Sequence, residues 1–295
     1  MANSISLVTT FLSILDDVYK QESVTARLDA MTQDVPFVAA NIVKVLKLST
    51  VGLGTYSRTT GYPAGDLTAA WETMTLAIER GRAFTLDRMD SEETLGMVLG
   101  NLIREWMRVY VAPEVDAYRF AKYASWSGVG AATAGTLTAS TVLPAVDEAR
   151  RVMDEAEVPS EGRQLFVSGT VGTMLDAAIT RIVGSGGGID RRIPSLDGVE
   201  IVRVPQTRFY TQVTLNAGAT ASAGGFVKTT STGKDLNFML VHPSAVIQPT
   251  KLNNLKYFPP ELNQTSDGHL WQYRLYHDAF VQENKVAGVY IHNKA

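Results

Sequence analysis

From Asn41 the chain reads "NIVKVLKLSTVGLGTYSRTTGYPAGDLTAAWETMTLAI", and this stretch constrains the fold more than any other. "NIVKVLKLST" alternates apolar and polar residues in strand fashion before Gly52 and Gly54. Gly61, Pro63 and Gly65 then supply loop chemistry. "LTAAWETMTLAI" alternates again, with Met74, Leu76 and Ile78 on one face. The pattern predicts a long two-stranded arm, out along 42–51 and back along 67–78. A two-stranded ribbon alone is marginally stable in water. It must lie against something, and no adjacent segment offers a surface, which points to another chain.

The next stretch, "RAFTLDRMDSEET", carries four acidic residues close together. Residues 82–89 alternate as a strand with Phe84 and Leu86 on one face. Asp90 or Ser91 suits an N-cap, and Glu92 and Glu93 fall in the first helical turn, where exposed N–H groups and the helix dipole favour carboxylates. Leu95, Leu99, Leu102, Trp106 and Val109 or Tyr110 then recur at helical spacing. Pro113 either kinks this helix or opens a second one, and "PEVDAYRF" continues in register. A helix over about 91–124 would be about 50 Å long. Asp87, Asp90, Glu92 and Glu93 are therefore read as capping and as pairing with Arg82 and Arg88. A calcium loop would want a D-x-D-x-D-G pattern, and none occurs.

Beyond Gly128 the order is a small-residue loop, an amphipathic helix in "TVLPAVDEARRVMDEAEVP", a buried strand in "RQLFVS" and a helix in "GTVGTMLDAAITRIV". A strand in "DGVEIVRVP", a soft loop in "NAGATASAGGFV" and a buried strand around Phe238 to Val241 come next. The end, "WQYRLYHDAFVQENKVAGVYIHN", reads as two strands joined near Asn284 and Lys285. Helices and strands mix without a regular βαβ rhythm, so the expected class is α+β. With 45% apolar and 19% charged residues the chain has the composition of a globular protein that buries a sizeable core.

Composition excludes several chemistries. There is no cysteine, so disulfides, thiolate metal sites and cysteine nucleophiles are out. A net charge of −3 gives no basic coat for gripping nucleic acid. No basic region precedes the first apolar stretch, and no signal peptide is expected. Two uncharged stretches, 123–146 and 209–227, are too rich in small and polar residues to span a bilayer, so a soluble protein is expected. The histidines are His242, His269, His277 and His292, and no pair has metal-binding spacing. His277 beside Asp278 offers half of a hydrolase triad, but neighbours on a strand point to opposite faces. "GSGGG" lacks the lysine and hydroxyl of a phosphate loop, "GLGTYS" lacks the third glycine of a dinucleotide motif, and no G-x-S-x-G elbow exists. Arg181, Arg191, Arg192 and Arg203 are dispersed basic residues and are read as solvated surface. By motif the chain is not an enzyme, and no cofactor or metal is expected.

Four stretches in order, "GLGTYSRTTGYPAGDLTAAWETMTLAIERGRAFTLDRMDSEET", "PEVDAYRF", "FMLVHPSAV" and "YRLYHDAFVQENKVAGVYIHN", resemble the tailed-phage major capsid proteins of the Hong Kong 97-type fold. The resemblance covers roughly 41–292. It implies an N-terminal arm (1–50), an extended loop reaching over a neighbouring subunit (51–80) and a peripheral domain with a spine helix (81–140). It further implies an axial domain (141–250) and strands returning to the peripheral domain (251–295). It implies a structural subunit of the virion, assembled in the host cytoplasm into hexamers and pentamers. Partners would be further copies, scaffolding, portal and cement proteins, and weakly held double-stranded DNA, with no membrane. Arg58, Tyr62, Trp71, Glu72 and Arg88 are the expected inter-subunit contacts, since arginine and aromatic residues anchor interfaces. Some members of that family cross-link through a lysine on the extended loop. Here no lysine occurs from Leu48 through Ala121, so no such covalent mesh is expected. Two other readings stay open: a cargo-loading encapsulin-type nanocompartment with the same fold, and a hydrolase built on His277, Asp278 and a serine.

Overall fold

The computed structural model describes residues 23–31, 37–39, 41–88, 103, 105–178, 194–218 and 224–295. The start of the chain, where Leu7, Phe11, Ile14, Leu15 and Val18 recur at helical spacing, lies outside them. So do the cap at Asp90 or Ser91, Glu92, Glu93, Arg181, Arg191, Arg192 and the "GSGGG" loop.

In chain order the strands are β1 (Phe37–Ala39), β2 (Ile42–Thr50), β3 (Leu67–Thr75), β4 (Ile78–Asp87), β5 (Gly130–Ala131), β6 (Gln164–Ser168), β7 (Ser195–Leu196) and β8 (Val199–Val204). They continue as β9 (Val213–Leu215), β10 (Phe226–Lys228), β11 (Leu236–Val241), β12 (Val246–Ile247), β13 (Thr250–Phe258), β14 (Gly268–His277), β15 (Phe280–Val281) and β16 (Val289–Asn293). The α-helices are α1 (Ala112–Ala124), α2 (Val142–Glu155) and α3 (Gly169–Ala178). This is the α+β architecture the sequence predicts.

Two sheets organise the body. A six-stranded sheet has the order β5-β16-β11-β6-β8-β7. Its central strands are apolar on both faces, because both faces are covered. Leu165, Val167, Phe238 and Leu240 face α2 and α3, where Val142, Val146, Ala149 and Met153 are buried. Phe166, Met239 and Val241 face the other way, onto Phe120 and Tyr123 of α1. Phe120 is fully buried, with its ring 5.2 Å from Phe166 and 5.0 Å from Phe209 in edge-to-face geometry. A second sheet, β13-β14-β4, is antiparallel throughout. Its Leu255, Trp271, Tyr273 and Leu275 pack on Ile103, Met107, Val111 and Val115. The helical segment ending in α1 thus touches both cores, one along its first part and one along its second.

Pro113 does not break that segment. Met107–Val111 forms a π turn directly before α1, and the Ala112 N–H reaches back to the Met107 carbonyl. Proline has no N–H and its ring collides with the carbonyl four residues back. Widening the preceding turn by one residue accommodates both, as π bulges do inside helices. The extra residue also turns the buried face. Helical spacing puts Val109 and Tyr110 on it, but they are 43% and 59% exposed, while Met107 and Val111 are buried.

Two expected boundaries change. β2 pairs with β3 from Ile42↔Thr75 to Thr50↔Leu67, so a division at 50/51 would cut one hairpin in half. The 251–295 segment does not return as a unit. β14 pairs with β13 and β4, but β16 inserts beside β11 in the six-stranded sheet. The reason is burial: Val289, Tyr290 and Ile291 are almost wholly buried there, and a strand apolar on both faces needs a two-sided core.

Phe120→Ala should destabilise the chain by about 3–5 kcal/mol, the usual cost of emptying a fully buried aromatic site. Urea denaturation of the unassembled chain measures this. Trp71→Ala, on the exposed ribbon, should shift the same transition by only about 0.5 kcal/mol or less.

Candidate inter-subunit surface

The β2–β3 ribbon has two chemically different faces. Residues paired directly across an antiparallel ladder point the same way. Val43 and Met74 form one such pair. They are buried with Leu76, Ile247 and Phe280, and they seat the base of the ribbon on the body. The alternate pairs are Leu46↔Trp71, Leu48↔Ala69 and Thr50↔Leu67. Leu46, Leu48, Leu67 and Trp71 are 47%, 56%, 69% and 61% exposed, so this face carries an apolar stripe that no described residue covers. Beyond the ladder Val51, Leu53, Tyr56 and Tyr62 are exposed as well. Contiguous exposed apolar area of this kind marks an interaction site.

The far end is ordered by its own turn. Ser57 and Gly61 exchange backbone hydrogen bonds of 3.1 and 2.8 Å, and the Ser57 hydroxyl accepts the N–H groups of Thr59 and Thr60. Gly61 has φ +82°, a left-handed conformation that favours glycine. Tyr56 and Tyr62 pack across the turn with centroids 4.9 Å apart, and Arg58 is exposed at the tip.

The base is held by a buried carboxylate. Asp278, 1% exposed, accepts the Ala77 N–H at 2.9 Å, the Tyr118 hydroxyl at 2.7 Å and the Ala279 N–H at 2.8 Å. It therefore ties the β3–β4 junction to α1. Burial, and then the hydrogen bond to Asp278, push the Tyr118 phenol well above its usual range, so it stays a donor. The Tyr276 hydroxyl adds a bond to the Leu76 carbonyl at 2.9 Å. A second carboxylate, Asp116 on α1, is fully buried and holds the segment before the ribbon. It accepts the Ser23 and Thr25 hydroxyls, both at 2.7 Å, and the Val24 and Thr25 N–H groups. Arg208 reaches it at 3.3 Å from the other side.

The five expected contact residues separate. Arg58 and Tyr62 sit at the tip and Trp71 on the apolar stripe. Glu72 lies on the opposite face and works within the chain. Its carboxylate accepts the Glu283 N–H, while Lys47 pairs with the Glu283 carboxylate. Burial, with Glu283 nearby, raises the Glu72 carboxyl above its usual range, against the lowering effect of the Glu283 N–H. Arg88 lies just past β4, where its N–H bonds the Asp267 carbonyl at 3.2 Å. Sequence reasoning missed Leu46, Leu48 and Leu67. Their alternation along the two strands places all three on the face that carries Trp71.

The hydrolase constellation is not assembled. His277 and Asp278 are both nearly fully buried, and no hydrogen bond joins them. Asp278 is used by Ala77, Tyr118 and Ala279, while His277 Nδ1 has no hydrogen-bond partner among the described residues. The other histidines serve local structure: His242 bonds Ser244, His269 bonds Tyr257 and His292 bonds Asn237. Arg203 pairs with Asp176 at 2.5 Å rather than joining a basic patch. Among the described residues no acidic or histidine cluster could hold a metal, and no helix is long and apolar enough to cross a membrane.

No family model and no curated protein matches the chain. Solved structures do. A structure of Gordonia phage Cozz aligns over 93% of this chain and 87% of its own, with TM-score 0.62 and 12% identity. The capsid structure of the cyanophage P-SCSP1u aligns over 88% and 85%, with TM-score 0.58 and 14% identity. A virus-like particle from Pyrococcus furiosus aligns over 96% and 97%, with TM-score 0.55 and 8% identity. The chain has the capsid-shell fold: an α+β body with a projecting hairpin, the Hong Kong 97-type architecture of tailed-phage major capsid proteins.

Two measurements test the base of the arm. Tyr118→Phe leaves Asp278 short of one donor and should cost about 1.5–3 kcal/mol, the range for a hydrogen bond to a charged group. Burial, reinforced by Arg119 and Arg80, depresses the His277 imidazole to about 3. A folded-state value below the unfolded one means its contribution is complete above about pH 6.5 and is lost as pH falls towards 3. Urea titrations across that window should show a shallower loss of stability for His277→Phe than for the natural chain. Equal slopes would mean His277 carries none of the acid sensitivity.

Proposed function

We propose that the chain is the major capsid protein of a tailed double-stranded DNA phage, assembling into hexamers and pentamers of a closed shell. The observation that carries this reading is the apolar stripe on a hairpin that leaves its own body. The fold supplies an anchored base, and Leu46, Leu48, Leu67 and Trp71 supply an exposed apolar surface suited to a further chain. Sixteen residues of ribbon, from Ile42 to Ser57, span about 50 Å at about 3.3 Å per residue, enough to reach across a neighbour. The mild net negative charge of −3 suits a container whose inner surface holds DNA weakly. Assembly in the host cytoplasm, and scaffolding, portal or cement partners, belong to the same reading.

The likeness to the virus-like particle from Pyrococcus furiosus, which aligns over 97% of its length, favours a second reading: a nanocompartment shell of the same fold. Contents separate the two. Shells purified from the native source and enriched in nucleic acid support the phage reading, while a folded cargo protein supports the compartment.

Light scattering and negative-stain microscopy of the purified protein should reveal closed shells or megadalton capsomers. The paired substitutions Leu48→Glu and Trp71→Glu should abolish them while leaving the single chain's denaturation midpoint unchanged. Shells formed as well by that variant would overturn the role of the stripe. On a denaturing gel the shells should dissolve to one band near 32.1 kDa, without a covalent ladder, since the loop carries no lysine and Lys47 is engaged by Glu283.

A further inference from the structure

A second hairpin, β9–β10, crosses from one half of the body to the other. Its root lies in the central core, where Phe209 and Leu236 are fully buried and the Leu236 N–H bonds the Phe209 carbonyl at 3.1 Å. Its outer part has no core of its own: no residue of Val213–Leu215 or Phe226–Lys228 is fully buried, and Val227 is 50% exposed. Beneath it lies a cavity of about 380 Å³, bordered by Phe84, Trp106, Tyr110 and Tyr273. Two arginines reach across it. Arg80 and Arg82 alternate on β4 and so share a face. Arg80 donates to the Asn216 carbonyl at 2.7 Å and the Gly225 carbonyl at 3.3 Å, and Arg82 donates to the Gly218 carbonyl at 3.4 Å. Glu114 on α1 orients Arg80 with a bidentate contact of 2.6 and 3.1 Å.

We propose that β9–β10 is a releasable strap, held across the three-stranded sheet by the Arg80–Arg82 clasp and able to open without unfolding either sheet. The strap is attached unequally at its two ends. A two-stranded ribbon is marginal by itself, its root is fixed by buried aromatic and aliphatic packing, and among the described residues its outer end is tied to β4 by charge-assisted bonds to backbone carbonyls. Local opening of such a unit takes less free energy than global unfolding. Opening would bare the aromatic border of the cavity together with two arginines. The strap is a property of the single chain and holds whether or not the chain builds a shell.

Amide hydrogen exchange on the full-length, unassembled protein, read by mass spectrometry, tests this. In the natural chain, peptides from 213–218 and 224–228 should exchange at least about tenfold faster than β11, with rates insensitive to low denaturant. Arg82→Met, and separately the charge-neutral pair Arg80→Met with Glu114→Leu, should speed the strap by about a further tenfold, the loss of one charge-assisted hydrogen bond. β11 should keep its natural rate. Strap and β11 exchanging in step in the natural chain would overturn the proposal without recourse to any variant. Strap rates unchanged in the folded Arg82→Met chain would overturn the role of the clasp.

Discussion

Asp278 is the point on which the arrangement of arm and body turns. A carboxylate taken out of water is costly unless its lone pairs are met, and here three donors from different parts of the chain meet them: Ala77 at the ribbon's root, Tyr118 on α1, and Ala279 beside it. The bond lengths leave little freedom, so the direction in which the ribbon leaves is fixed relative to the helix. Asp116, just before Tyr118 on α1, does the same for the segment entering the ribbon. The helix thus grips the chain on both sides of the hairpin, through Asp116 on the way in and through Tyr118 and Asp278 on the way out. Such networks add less to stability than to uniqueness when every member is satisfied, and they are severe liabilities when one is lost.

The ribbon, the β4 strand and the helix end at Ala124 were legible from their periodicity, and the buried strands β6 and β11 from short, continuous apolar runs. The helix's buried face was not. Spacing from Trp106 points to Val109 and Tyr110, and the π turn forced by Pro113 hands the role to Met107 and Val111. A proline announces a disturbance in the sequence but not which of several remedies the chain adopts. The destination of β16 was hidden for a different reason. "VYIHN" reads as a strand, yet pairing with β11 rather than β14 is decided by which sheet offers two covered faces, and that is a property of the whole fold.

The candidate surface divides along the same line. The exposure of Trp71, Tyr62 and Arg58 agrees with what their place on the ribbon and its tip suggests. The bond from the Glu283 N–H to Glu72 was not readable, because Glu283 lies far along the chain. "PEVDAYRF" contains Asp116, Tyr118 and Arg119, which reach Ser23, Thr25 and Asp278. Its acidic and phenolic groups are ordinary helix residues until the distant partners arrive. Likeness to capsid structures at 12–14% identity is intelligible in these terms, since a fold set by burial pattern and a few long-range pins tolerates many choices elsewhere.

The apolar stripe also constrains the chain before it ever meets a partner. A newly made chain carries Leu46, Leu48, Leu67 and Trp71 into water from the moment its ribbon pairs, and greasy ribbons stick indiscriminately. Correct docking and clumping draw on the same surface, so their balance is a race set by concentration. At low concentration the lone chain persists; above a threshold, mass action favours whichever association is faster. A ribbon of this kind therefore makes timing part of the design, with crowding during synthesis the period of greatest exposure.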